Sequence, residues 1–341
     1  MAGLTEKEIK EIQEEIENCQ NPLFFYDDDA DGLCSFLILS RFAKKGSGSV
    51  VKSVPKLDES FLHRIIEHNP DKIFILDIAV VEQEFVDKAG CKVIWIDHHE
   101  PIKLHNVKVF NPRHHGPSVP TTYMAYQIAQ QDLWLAALGC VADWFVPPFI
   151  GKFREEYPDL VSEKSQTAPD IIYNDPLGKI IMMINFILKG KTSAVNKSIR
   201  QMFQIKSPYE ILNQETKNGR ELFQRGEKIK REYDEIFQKA AKCASDDKIF
   251  FFNYTELDTS FTSELSNELI YRFPDKTIII AREKNDEMRM SIRSTKKVIP
   301  PFLHKALSGL EGYGGGHEHA CGASVKKKDF EIFMTRFREL V

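Results

Sequence analysis

Three short apolar runs, each tipped by an aspartate, constrain this chain more than any other feature. They are PLFFYD (22–27), KIFILD (72–77) and KVIWID (92–97). Runs this short, apolar throughout and rich in aromatic and β-branched residues, read as strands covered on both faces. Helix-like stretches stand between them at 32–46, 59–69 and 81–90, the first and last closing on glycine, with another short β-branched run at 50–55. Strands of five or six residues alternating with helices imply βαβ units and a mainly parallel sheet. In such a sheet ligands sit beyond the C-terminal strand ends, so acids scattered over seventy positions aim at one place.

The first run enters DDDADG (27–32) and the third enters DHH (97–99). Asp29 and Asp31 alternate, so an extended loop would point both the same way, and Gly32 would let the backbone turn. Carboxylates crowded like this repel unless a cation sits among them. Asp and His together offer hard oxygen and imidazole ligands, which suits Mn²⁺ or Mg²⁺ better than zinc or iron, since no cysteine joins the set. Two such ions, about 3.5–4 Å apart, would clamp a phosphate ester and activate a water. One aspartate after a strand is usually a helix cap or turn residue; three acid-tipped strands and a histidine pair are harder to explain that way. Asp28 reads as solvated or structural, and spacing alone does not decide between His98 and His99 as ligand.

From residue 118 the period becomes helical, and 215–243 reads as one long charge-laced helix of the kind that bridges two folded units. Strand-like runs return at 248–257, 277–284 and 287–294, closing on a glycine-rich loop at 309–325. The expected architecture is α/β. An N-terminal domain (1–215) has a mainly parallel sheet flanked by helices. A linking helix (216–245) leads to a smaller C-terminal α/β domain (246–341), with the active-site cleft between the domains.

The net charge of −4 excludes a general polycation, so nucleic acid would have to be met through a local basic surface or through metal ions. Six dispersed cysteines with no C-x-x-C pair argue against zinc ribbons and a disulfide framework, and fit reduced thiols in a cytoplasm. No apolar run approaches the roughly 20 residues that cross a bilayer, and the charged N-terminus does not read as a signal peptide.

DDDADG (27–32), DIAV (77–80), DHH (97–99), ADW (142–144) and GGGH (314–317) stand in the order shown by the DHH phosphoesterases, and the chain resembles their RecJ-like members, the archaeal ones in particular. The resemblance implies a DHH domain followed by a DHHA1 domain. It makes Asp29 a ligand of one metal, Asp31, His98 and Asp143 ligands of a second, and Asp77 a bridge. Asp97 would support the histidines and His99 would face the substrate phosphate. Relatives commonly carry a histidine ligand where this chain has Phe25; Asp27 stands close enough in sequence to supply the missing oxygen. Arg293 of SIRS occupies the phosphate-gripping position, with Gly314, Gly315 and Gly316 exposing N–H groups and His317 adding a donor. Lys296 and Lys297 would extend a basic patch, Arg113 and His114 would reach a phosphate near the metals, and Thr121 or Thr122 would cap the next helix. Tyr313 or Phe302 could stack on bases, the latter reading better as core.

The implied activity is end-directed hydrolysis of single-stranded DNA or RNA, 5′ to 3′ on DNA, in replication or repair. Binding to a GINS-type replication complex is compatible with it. Two rivals stand beside it: a phosphodiesterase for short oligoribonucleotides, cyclic dinucleotides or phosphoadenosine phosphate, and a replication scaffold.

Overall fold

A computed structural model describes residues 3–52, 56–255 and 259–341. The ends of two expected strands, 53–55 and 256–257, lie outside the described residues. The chain divides into two compact units, residues 1–188 with 192–226, and residues 189–191 with 227–341.

In the first unit α1 (Glu6–Glu17) precedes β1 (Pro22–Asp27), α2 (Ala30–Ala43), β2 (Ser47–Val51) and β3 (Lys56–Leu57). Then come α3 (Leu62–His68), β4 (Lys72–Leu76), β5 (Val80–Val81), α4 (Gln83–Lys88), β6 (Lys92–Ile96) and β7 (Val107–Phe110). The main sheet is all parallel in the order β2-β1-β4-β6-β7, so the three acid-tipped runs are its three central strands. They are covered on both faces. Phe24, Tyr26, Phe74, Leu76, Ile94 and Ile96 point into one core, while Leu23, Phe25, Ile73, Ile75, Val93 and Trp95 point into the other. That two-sided burial is why these strands read as unbroken apolar runs. Phe25 is fully buried, edge-on to Phe61 and Phe85, so the position for which the resemblance implied a histidine belongs to the core here.

A helical layer follows: α5 (Thr121–Ala129), α6 (Leu133–Ala142), α7 (Ile150–Glu156), α8 (Ala168–Asn174), α9 (Pro176–Ile187), α10 (Thr192–Met202) and α11 (Pro208–Leu212). The long helix α12 (Lys217–Ala241) runs through the boundary between the units. Helix α2 closes on Lys44 in the left-handed region, two residues before Gly46. Gly46 is itself left-handed and lies against the Pro22 carbonyl, so it serves the strand that follows.

The second unit holds β8 (Ile249–Tyr254), α13 (Thr262–Arg272), β9 (Thr277–Lys284), β10 (Glu287–Ser294), α14 (Ile299–Leu307), β11 (Gly312–His317), β12 (Ala320–Lys326) and α15 (Phe330–Leu340). Its sheet runs β11-β12-β10-β9-β8, antiparallel except for the β8–β9 pair. The glycine-rich segment expected as a loop is an edge hairpin, with Gly312–His317 paired to Ala320–Lys326. Its glycines hid the strand because they carry no apolar side chains to alternate. Phe302 packs half-buried against the core of this unit.

Candidate metal centre

The site is built at the C-terminal ends of β1, β4 and β6. Asp77 follows β4 with φ +58°, a left-handed conformation costing about 1–3 kcal/mol for a residue other than glycine. Its N–H donates to the Ile96 carbonyl on the neighbouring strand (3.1 Å), which fixes the turned-out carboxylate. Asp97 is tied likewise to the Phe110 carbonyl (3.1 Å). Both are buried.

DDDADG is a strand-to-helix corner rather than an extended loop. Asp29 is the N-cap of α2, accepting from the Gly32 N–H (2.9 Å), and Asp31 lies in the first helical turn. Gly32 is required by close approach and not by turning: a Cβ there would stand 2.6 Å from the Asp27 carbonyl oxygen. The buried Asp31 carboxylate accepts from the N–H groups of Thr121 (2.8 Å) and Thr122 (2.7 Å). It therefore caps α5 from another element, where Pro120 at the N-cap offers no side chain. The threonines do not cap that helix as expected. Thr121 Oγ1 donates to Asp77 (3.2 Å) and Thr122 Oγ1 to the Asp31 carbonyl (2.9 Å).

His98 stands at the centre. Its Nε2 lies 3.2 Å from Asp77 Oδ1, and its Nδ1 lies 3.8 Å from Asp143 Oδ2. Donor atoms of Asp77, His98 and His99 fall within 4.8 Å of one another, and so do those of Asp31, His98 and Asp143. Two ligand sets thus share one imidazole. Asp97 supports His99, accepting from its N–H (3.0 Å) and meeting its Nδ1 (2.8 Å). Asp27 and Asp29 belong to neither set; Asp27 Oδ1 accepts from the Asp28 N–H (2.9 Å).

Electrostatically the cluster is under-compensated. Burial, then the charges of neighbouring aspartates, raises Asp27, Asp77 and Asp143 well above the usual carboxylate range, and Asp29 to about 6. Burial lowers the basicity of His98. For His99 burial acts the same way, but the Asp97 hydrogen bond and the charges of Asp97, Asp29 and Asp31 win and raise it. Cys34 and Cys140 feel the same carboxylates, and burial pushes both thiols well up, so they stay protonated and are poor ligands. Oxygen and imidazole donors around a buried excess of negative charge fit a hard divalent cation.

Other residues hold the DHH loop. Arg113 Nε donates to the His98 carbonyl (2.8 Å), so this side chain clamps backbone, with Nη1 3.5 Å from Glu100. Ser118 Oγ donates to the same carbonyl (3.0 Å), and Asn111 Nδ2 donates to that of His99 (2.9 Å). Asn111 was marked in the sequence only by the Asn-Pro segment that follows the DHH motif, and Ser118 carried no signal beyond lying in that segment. His114 is exposed on the short helical turn after Asn111.

In the second unit Arg293 is braced by Asn267 (2.7 Å), Ser263 (3.2 Å) and the carbonyls of Ile292 and Cys321. His317 shares its cross-strand row, both pairing with Ala320. Gly314, Gly315 and Gly316 lie on the edge strand, which leaves some of its backbone groups without a strand partner. Lys296 is paired with Asp275 (2.5 Å), so the expected basic patch is partly neutralised, and the Lys297 carbonyl is met by His319.

Residues 23–142 match the family model of the DHH family, N-terminal domain, and residues 247–341 match that of the DHHA1 domain. No curated protein sequence matches the chain. Among solved structures it is similar in fold to RecJ of Thermus thermophilus in complex with Mn²⁺, at 14% identity and a TM-score of 0.69. That match covers 98% of this chain and 54% of the other, so the chain spans about half the length of that RecJ. An exonuclease RecJ bound to manganese matches at 15% identity and TM-score 0.67, covering 100% and 95% of the two chains. A pGpG-specific phosphodiesterase of Vibrio cholerae matches at 13% and 0.51, covering 94% and 98%.

Proposed function

The chain belongs to the DHH phosphoesterases, with their N-terminal domain and a DHHA1 domain, and on that premise we propose that it removes nucleotides from an end of single-stranded nucleic acid, 5′ to 3′, using Mn²⁺ or Mg²⁺. The observation that carries this reading is the double ligand set around His98, at the ends of three adjacent parallel strands. Asp31, Asp77, His98 and Asp143 would hold one ion, and Asp27 and Asp29 would supply oxygens for a second. A divalent ion bound there polarises the phosphoryl oxygen and lowers the pKa of a water.

The remaining work falls to the chain. Asp97 fixes the ring of His99, whose raised basicity keeps it a donor toward a phosphate oxygen. Arg113, Ser118 and Asn111 hold the loop that carries both histidines. Arg293, the glycines of β11 and His317 grip the substrate phosphate. A place in DNA replication or repair beside a GINS-type complex belongs to the same reading.

End-labelled single-stranded DNA and RNA, digested with Mn²⁺ and resolved on a gel, test it: mononucleotides should be released from one end. Internal cuts, or product formed equally well in EDTA, would refute the assignment. A second reading, hydrolysis of a dinucleotide, draws on the fold shared with the pGpG phosphodiesterase. Turnover on a dinucleotide against a long strand separates the two.

A further inference from the structure

One face of the second unit's sheet is packed by α14 and α15 through Met288, Met290 and Ile292. The other is packed by α13 over β9 and β10, where Ile278, Ile280 and Ser291 are buried, and stays open over β11 and β12 at Gly315 and Gly322. It is organised in cross-strand rows, because directly paired residues share a face. One row reads Tyr254, Arg282, Arg289, Ser324 and Tyr313 across all five strands. Four residues along β10, another row carries Arg293, Ala320 and His317. Between them lie Ser291, Gly322 and Gly315.

Two features of this face are unexplained by folding. Arg282 and Arg289 are directly opposed, a pairing that destabilises an antiparallel ladder. Arg282 is 4% exposed, and its buried Nε has no hydrogen-bond partner among the described residues. Arg289 has a buried Nε in the same state and only a 3.4 Å contact from Nη2 to Glu287. Glu287 is itself shared with Lys326 and Ser324, so it does not neutralise the pair. An anion would satisfy two adjacent guanidinium groups in this state.

The glycines are the second feature. A Cβ on Gly315 would meet nothing within 4 Å, and one on Gly322 only the Met290 carbonyl oxygen at 3.9 Å. Packing does not demand glycine at either position, and both are exposed. Their effect is a flat floor between two rows that carry arginine. Tyr313, 63% exposed, stands at the edge of the Arg289 row.

We propose that this floor is a track for a polynucleotide, with Arg289, backed by Arg282, as a second phosphate subsite beyond Arg293, and Tyr313 as a stacking surface for a base. The proposal deepens the nuclease reading and rests on it for the identity of the substrate. Arg289 and Arg293 are four residues apart on one strand, roughly 14 Å. A dinucleotide, whose phosphates are adjacent, does not span that distance; a strand of several nucleotides does. The track therefore selects length, favouring extended single strands over dinucleotides.

The test is equilibrium binding of fluorescein-labelled single strands of two to twelve nucleotides to the full chain in EDTA, over a range of salt. Wild-type affinity should rise with length. Arg289→Gln should weaken the twelve-mer about tenfold and reduce the salt slope by about 0.7, one phosphate contact, while Arg289→Lys keeps most of both. Tyr313→Ala should weaken binding about tenfold with the slope unchanged. Gly322→Val, which strand propensity favours, should fill the floor and abolish the length dependence without lowering the melting temperature. Equal affinity of wild type for dinucleotide and twelve-mer overturns the proposal. So does wild-type binding by Arg289→Gln, or equal loss in the Gln and Lys variants with a lowered melting temperature. Because no cleavage is needed, a chain that binds long strands through Arg289 yet hydrolyses none would sink the catalytic reading and leave this one standing.

Discussion

The two sheets of this protein present opposite electrostatic problems. The parallel sheet of the first unit ends in crowded carboxylates, Asp77 buried and Asp27 half-buried, whose proton affinity is raised by loss of solvent and by one another. The mixed sheet of the second unit opposes two arginines, Arg282 buried and Arg289 half-exposed, whose Nε atoms have no hydrogen-bond partner among the described residues. Neither arrangement favours folding. A divalent cation would relieve the first and an anion the second, and a phosphodiester with its metal ions would supply both. Function is written in each unit as the charge that folding left uncompensated.

If that contrast holds, changes in the first unit should strike turnover and changes in the second should strike binding. The largest effect is expected from Asp77→Asn, which should cut Mn²⁺-dependent hydrolysis by about 10³-fold or more while strand binding in EDTA persists. Joint loss of binding and turnover would erase the division of labour.

Next in size is Asp97→Asn. Without the Asp97 charge His99 should titrate at lower pH, moving the alkaline limb of the pH–rate profile down and reducing kcat about 10–100-fold. An unmoved limb would separate His99 from the titrating step.

The third prediction concerns stability. The folded pKa values of Asp27, Asp29, Asp77 and Asp143 lie above the unfolded value of about 3.9. Their contribution is therefore present below about pH 4 and is lost as pH rises through the folded values, near 6 for Asp29. In EDTA the cluster should increasingly destabilise the fold between about pH 5 and pH 8. Mn²⁺ at a hundred times its Kd should restore about 2.7 kcal/mol. Melting curves with and without Mn²⁺ at the two pH values check this, and a metal-induced shift no larger at the higher pH than at the lower would contradict it.

The smallest expected effect is from Arg293→Ala in the second unit: KM up about tenfold with kcat little changed. Its bonds to Asn267 and Ser263 also brace α13, so a modest fall in melting temperature should accompany the change. Arg293→Lys, which keeps the charge and loses the fork, sharpens the comparison by separating grip from bracing.

Much of the first unit was legible in the residues, because strands buried on both faces must be apolar throughout and the acids at their tips break that rule visibly. The second sheet was less so. β11 is mostly glycine and carries no hydrophobic period, and only its pairing with β12 reveals it as a strand. Asp143, at the end of an ordinary apolar helix, was visible only through family resemblance; the fold brings it to His98. Arg113, expected to reach a phosphate, also holds the His98 carbonyl through Nε, a backbone contact that residue identity does not encode.

The sequence by itself determined the parallel sheet, the acid-tipped strands and the oxygen and imidazole chemistry, since these follow from local hydrophobic pattern and side-chain type. Tertiary structure alone decided that Asp31 caps α5, that His98 is shared by two ligand sets, and that Arg282 faces Arg289. The physical reason is range: hydrophobic period and chirality act over a few residues, while charge coupling acts through space between groups the chain joins only by folding.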